Sequence, residues 1–323
     1  MLKILYAGSP EISATALQDL IDSKRVEIVG VLTNAPRAKG RNKTPTQTPV
    51  AQVANNAGIP VLEPEKLTEP ERNQIAALNP DIIVCFAYGK IFGPKFMALF
   101  PKGGINLHAS LLPKYRGASP VPAAILAGES VLGNTVQRIA QEMDTGDILL
   151  QKELQLNGTE NSVEVLDTLT SYGAEMILQV LSNIENNCEN PIPQDNSLAS
   201  YCSIMQKEDG EINWNDSAFN IHSKIRAFYG WPTAYTGLDG TIVTIHNANI
   251  YNSIGTDYEN DSNVPGTIIG VDKKAGILVK TGEGILSVQN LQKQSKKAMN
   301  FKDFINGMKN IQGMTCTNSK NNA

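Results

Sequence analysis

Cysteine, histidine and long apolar runs are all scarce in this chain, and each scarcity excludes something. The four cysteines (Cys85, Cys188, Cys202 and Cys316) are scattered and form no CxxC pair. A disulfide framework or a zinc ribbon is therefore not expected, and the thiols read as reduced. No apolar stretch approaches the roughly 18 residues of a membrane helix. The amino-terminal "MLKILYAGSPE" meets a Gly-Ser-Pro turn and an acid too early for a signal peptide. No GxGxxG, no GK[ST] phosphate loop and no GxSxG elbow is present, so the usual signatures of dinucleotide, P-loop and α/β-hydrolase chemistry are missing. Charge of one sign is not in excess either: 28 Lys and Arg against 32 Asp and Glu leave a net charge of −4. That argues against general coating of nucleic acid, though not against a local basic patch. The expectation is a cytoplasmic protein with no metal, no membrane attachment and no obligate protein partner.

The chain has 323 residues, enough for two domains. In the first half, short apolar strands such as "KILYA", "VEIVGVLT", "DIIVCFA" and "GINLH" alternate with helical patterns such as "ISATALQDLIDS". Alternation of this kind predicts an α/β fold, a Rossmann-like and mainly parallel sheet covered on both faces. "SVEVLDTLTSYGAEMILQVLSNIE" predicts one long helix. The proline-broken "NNCENPIPQDNSLAS" that follows reads as a linker, and five short strands separated by Gly, Asp and Asn turns then predict a smaller β-barrel, OB-like. The expected division is a catalytic domain over 1–185, a linker over 186–205, a barrel over 206–315 and a disordered tail over 316–323.

One of the three histidines stands in "GGINLHASLLPKYRG". In a strand, side chains alternate faces, so Ile105 and Leu107 point one way and Asn106 and His108 the other. Both polar residues fall at the carboxyl end of a strand, where ligands of parallel sheets bind. Alone, this could be a satisfied histidine at a strand end. "MDTGDIL" supplies a second cluster, with Asp144 and Asp147 flanking a Thr-Gly turn, and plain turn chemistry would also explain it. An amide, an imidazole and a carboxylate brought together could run transfer at an acyl carbon: the amide stabilises an oxyanion and the imidazole moves a proton.

"INLHASLLPKYRGASP" followed by "MDTGDIL" resembles the signature of 10-formyltetrahydrofolate-dependent formyltransferases. From "LYAGSPE" through "VCFAYGKI" to "IRAFYGWPTA" and "SKKAM", the chain is similar to the methionyl-tRNA formyltransferase family over nearly its full length. The resemblance implies formyl transfer from 10-formyltetrahydrofolate to the amino group of initiator methionyl-tRNA. It assigns catalysis to Asn106, His108 and Asp144, which would stabilise the tetrahedral intermediate and shuttle the proton. It places the folate against Ser110, Leu111, Leu112 and Pro113, and against the turn Phe86, Ala87, Tyr88 and Gly89.

Residues 34 to 49 carry Arg37, Lys39, Arg41 and Lys43, and no acid occurs between Glu27 and Glu63. By itself this could be a solvated loop; the resemblance makes it a contact for the acceptor end of the tRNA, with Arg41 at its centre. Lys296 and Lys297 lie in a second basic zone near the carboxyl terminus. Some positions depart from the family pattern: Pro122, Asn134, and Tyr229-Gly230 before the Trp-Pro pair. None of these removes a proposed catalytic group. Glycinamide ribonucleotide or sugar-amine formyltransferases share the Asn, His and Asp but not the tRNA apparatus, and the basic loop and the C-terminal domain are expected to discriminate against them. A folate- or nucleotide-binding protein without catalysis is opposed by the intact polar trio, and a dehydrogenase by the missing glycine fingerprint.

Overall fold

The computed structural model describes residues 1–39, 44–259, 261–308 and 310–317, and not the side chains of residues 37–39 and 44. Two compact units emerge. The first comprises 1–120, 131–155 and 165–203; the second comprises 121–130, 156–164 and 204–323.

The first unit is built on strands β1 (Lys3–Gly8), β2 (Glu27–Leu32), β5 (Val61–Leu62), β6 (Ile82–Phe86), β7 (Gly104–His108), β9 (Val131–Arg138) and β10 (Ile148–Gln155), in the order β10-β9-β7-β6-β1-β2-β5. The pairs from β7 to β5 are parallel, whereas β9 and β10 are antiparallel additions at one side. Helices α1 (Glu11–Ser23), α2 (Pro49–Asn56), α3 (Glu69–Ala77), α4 (Pro94–Met97) and most of α6 (Ser162–Glu185) complete the unit, and α5 (Pro120–Leu126) begins at its border. Strand alternation divides the core in two. Ile4, Tyr6, Ile82, Val84, Ile105 and Leu107 join one cluster, while Leu5, Ala7, Ile83 and Cys85 join another. Each fully buried Ile or Leu contributes roughly 1.5–3 kcal/mol. Strand β7 departs from this rule on one face only, where Asn106 and His108 stand in place of apolar residues.

Short pairs decorate the unit: β3 (Arg37–Lys39) with β4 (Thr44–Thr46), and β8 (Arg116–Gly117) with β11 (Tyr201–Cys202). The second pair involves the segment read from sequence as a linker. Residues up to Ser203 belong to the first unit, and their backbone is tied to the 113–118 loop.

The second unit is an antiparallel sheet of β12 (Ala234–Leu238), β13 (Thr241–Ile250), β14 (Ile268–Asp272), β15 (Gly276–Lys280), β16 (Ile285–Lys293) and β17 (Met299–Asn300), in the order β12-β13-β16-β15-β14 with β17 beside β16. Helices α7 (Ala218–Ala227) and α8 (Phe301–Asn306) place Ile221, Ile225, Phe301 and Phe304 in its core. Residues 313–317 bridge the two edges. Gly237 and Thr317 exchange backbone bonds of 2.8 and 2.9 Å, while Ile268 N–H donates to Met314 O at 2.8 Å. This segment closes the sheet into the expected barrel. Cys316 and Thr317, expected in the tail, are thus paired backbone; residues 318–323 lie outside the described residues.

Candidate active site

The register across the sheet builds the site. Cys85 on β6, Asn106 on β7 and Gln137 on β9 form one row, and His108 pairs with Thr135 in the next. Asn106 is half-buried, and among the described residues its side chain has no hydrogen-bond partner, so its amide is uncommitted. His108 is buried. Its Nε2 lies 2.9 Å from Tyr115 O, an acceptor only, so Nε2 carries the hydrogen. Nδ1 faces Asp144 Oδ1 at 3.7 Å, too long for a hydrogen bond. The imidazole is therefore oriented by a backbone carbonyl, and the carboxylate faces its other nitrogen.

Asp144 comes from the connection between β9 and β10. Its Oδ2 accepts from Gly117 N–H at 2.8 Å and its Oδ1 from Gln137 Nε2 at 2.9 Å. Two glycines permit this approach. Gly117 has a φ of 119°, and a Cβ there would meet Cys202 O at 2.1 Å. A Cβ on Gly146 would meet Arg138 O at 1.8 Å, which is how closely the 144–147 turn lies on β9.

Around this core lies a polar hydrogen-bond network that sequence reasoning missed. Arg116, 2% exposed, donates Nε and Nη2 to Gln194 Oε1 (3.0 and 2.7 Å), Nη2 to Asn196 Oδ1 (2.8 Å) and Nη1 to Tyr201 Oη (3.2 Å). Gln194 Nε2 donates to Asp144 O at 2.9 Å and Gly146 O at 2.7 Å. The alternation Thr135, Val136, Gln137 was a legible signal, because it puts two polar groups on one strand face. Gln194 had no signal, as it stands in a proline-broken polar stretch.

The expected folate contacts divide into two groups. Phe86 and Tyr88 bury their side chains in the two cores, and burial pushes the Tyr88 phenol up to about 12. Ala87 and Gly89 are exposed, at positive φ of 54° and 77°. The Ser110 hydroxyl is buried and donates to Lys114 O at 2.7 Å, and Leu112 is also buried; Leu111 and Pro113 remain half-exposed. Thr135 and Gln151 fix this loop, Thr135 Oγ1 donating to Ser110 O and Gln151 Nε2 to Leu112 O.

Of the expected RNA contacts, Arg37 and Lys39 fall on β3, and Arg41 and Lys43 lie outside the described residues. Lys296 and Lys297 are exposed in the connection from β16 to β17. The second unit also exposes Tyr229 and Trp231, at 41% and 62%, aromatics that were not recognisable as surface residues in the sequence.

Two family descriptions match the chain: formyl transferase over residues 2–181 and formyl transferase, C-terminal domain over residues 204–309. A Treponema denticola protein named methionyl-tRNA formyltransferase is 43% identical over 314 residues, 95% of this chain and 97% of that one. The chain belongs to the methionyl-tRNA formyltransferase family. A Borreliella burgdorferi relative of the same name is 38% identical, covering 97% of this chain and 98% of its own. Among solved structures, the Helicobacter canadensis N-formyltransferase in complex with folinic acid and dTDP-3-aminofucose superposes with a TM-score of 0.64. That match has 22% identity and covers 91% of this chain and all of the other. Aquifex aeolicus HypX in complex with tetrahydrofolic acid gives a TM-score of 0.63 at 16% identity, covering 94% of this chain and 47% of that one. At these identities the structural likeness speaks for the fold.

Proposed function

We propose that the protein transfers the formyl group of 10-formyltetrahydrofolate to the amino group of initiator methionyl-tRNA. The observation that carries the chemistry is the uncommitted Asn106 amide beside a His108–Asp144 pair at the carboxyl end of β7. Family membership supplies the substrates. The exposed, side-chain-poor backbone of Ala87 and Gly89 follows the strand next to Asn106, and with half-exposed Leu111 and Pro113 it suits a flat folate ring. The donor, when bound, supplies an activated formyl carbon. Asn106 donates its amide hydrogen to the developing oxyanion. His108 takes the proton of the attacking amine and returns it to the leaving nitrogen through Nδ1, the ring nitrogen not tied to backbone. Asp144 faces that nitrogen and supports the charge that develops there.

In the same reading, Arg37, Lys39, Arg41 and Lys43 meet the acceptor end of the tRNA, and Lys296 and Lys297 meet its backbone. The first unit is the catalytic domain and the second the RNA-binding barrel, and the enzyme works in the cytoplasm, where charged tRNA is made. The deciding experiment offers 10-formyltetrahydrofolate with methionyl-tRNA, glycinamide ribonucleotide or a dTDP-amino sugar, and follows folate release. Release with methionyl-tRNA alone is expected. Release only with a small amine would move the chain to another acceptor class.

A further inference from the structure

We propose that Gln194 is a positioning residue for the transfer: it locks the turn that carries Asp144 and, through Gln137, sets the direction of the Asp144 carboxylate. This rests on the assignment of Asp144 above. Gln194 belongs to the segment between α6 and β11, and among the described residues no part of it reaches His108 or Asn106 by a hydrogen bond.

Its orientation leaves no alternative. Arg116 can only donate, and two of its nitrogens point at one Gln194 atom, at 3.0 and 2.7 Å, so that atom is the amide oxygen. Nε2 is then turned to the carbonyls of Asp144 and Gly146 and to Gln137 Oε1, at 2.9, 2.7 and 3.3 Å. Because Gln137 Oε1 receives this bond, Gln137 must present its own Nε2 to Asp144, which it does at 2.9 Å. The relay Arg116, Gln194, Gln137, Asp144 therefore has one consistent direction.

Two features indicate what the relay acts on. Asp144 has a φ of 56°, in the left-handed region that is unfavourable for a residue with a Cβ. Its carbonyl, which that conformation orients, is the one Gln194 grips. The buried Arg116 guanidinium also makes its hydrogen bonds to neutral oxygens of Gln194, Asn196 and Tyr201, which polarises the Gln194 amide towards the turn.

A merely structural role would be to dock the 194–202 segment, and Asn196 separates the two cases. It makes a bond of 2.8 Å to the same guanidinium and none to the turn. The expected results are a kcat lower by about 10-fold or more in Gln194→Ala and Gln137→Leu, with both KM values within about 3-fold, since misplaced catalytic groups cost turnover rather than binding. Asn196→Ala should keep its kcat within about 3-fold. The Gln194→Ala/Gln137→Leu double variant should lose little more than either single one, because the residues act in series. Hydrogen exchange across residues 144–147 reads the lock without any substrate, so it stands even if the acceptor is misassigned; Gln194→Ala should speed it and Asn196→Ala should not. If Gln194→Ala destabilises the fold, Gln194→Glu still accepts from Arg116 but turns an acceptor instead of a donor to the carbonyls of Asp144 and Gly146, and should show the same loss of kcat at a temperature where circular dichroism shows it folded. Normal turnover in Gln194→Glu and Gln137→Leu, or an equal loss in Asn196→Ala, overturns the proposal.

Discussion

Asp144 illustrates how much surrounding structure one proposed catalytic side chain needs. Its left-handed φ of 56° costs on the order of 1 kcal/mol for a residue with a Cβ. Charge-assisted hydrogen bonds from Gly117 and Gln137 offset that cost, each worth roughly 1.5–3 kcal/mol. Asn106, His108 and Asp144 each act on the transition state in the proposed mechanism. Replacing any one by alanine should lower turnover by at least about 10²-fold in a protein that stays folded. Circular dichroism alongside single-turnover kinetics checks this, and a near-normal rate in His108→Ala would falsify the proton route. Gly146 is constrained by space rather than by charge. A Cβ there would meet Arg138 O at 1.8 Å, so Gly146→Ala must push the turn off β9 and should lower both melting temperature and kcat. A variant that lost stability alone would separate the turn's packing from its catalytic duty.

At the scale of elements, α7 shows a local device with a pH signature. Ser217 caps its start by accepting from Asn220 N–H, and Lys224 and Arg226 lie in its last turn. Burial, and then the Arg226 charge, push the His222 imidazole down to about 4 from the usual 6.5. The folded protein therefore keeps His222 neutral across a range in which the unfolded chain takes up a proton. Stability from this site is intact above pH 6.5 and declines as the pH falls towards 4. His222→Gln should flatten the fall in melting temperature across that window. An unchanged slope would assign the acid sensitivity to other groups. A second element, the 194–202 segment, shows how misleading composition can be. Its prolines and polar residues suit a linker, yet Tyr201 and Cys202 pair in register with Arg116 and Gly117.

For the whole molecule, the second unit owes its closure to its last described residues. Ile311 and Cys316 are each 7% exposed in its core, and the backbone of 313–317 joins β12 to the residues before β14. Ending the chain after Asn310 exposes two sheet edges and removes both core side chains. A clear loss of melting temperature and a tendency to associate are expected, because open edges recruit other strands. A truncated protein as stable and monomeric as the parent would refute the closing role. The two basic zones proposed to meet the tRNA belong to this scale too. Phosphate contacts release counterions, each contributing roughly 0.7 to 0.9 log units of salt dependence. Arg41→Ala, or Lys296→Gln with Lys297→Gln, should raise KM for methionyl-tRNA and flatten its salt dependence, leaving KM for 10-formyltetrahydrofolate unchanged. Equal constants at two salt concentrations would remove that zone from the RNA site.

The sequence by itself determined the alternation of strands and helices, the long helix over 162–185, the five main strands of the second unit, and the pair Asn106 and His108. These are local: a period of 2 or 3.6 residues places a side chain on a face, and a turn residue ends an element. Family resemblance supplied the roles of those residues and the substrates. Only the tertiary structure decided that β9 and β10 enter the sheet antiparallel, that Gln137 stands in the row of Asn106, and that Tyr115 rather than Asp144 fixes the imidazole. It also decided that residues 313–317 close a barrel. The physical reason is the same in each case. The partners are distant in the chain: 57 positions separate Gln194 from Gln137 and 78 separate it from Arg116. Hydrogen bonds between polar side chains have no periodicity that a local pattern could reveal, and they form only once the core has brought their strands together.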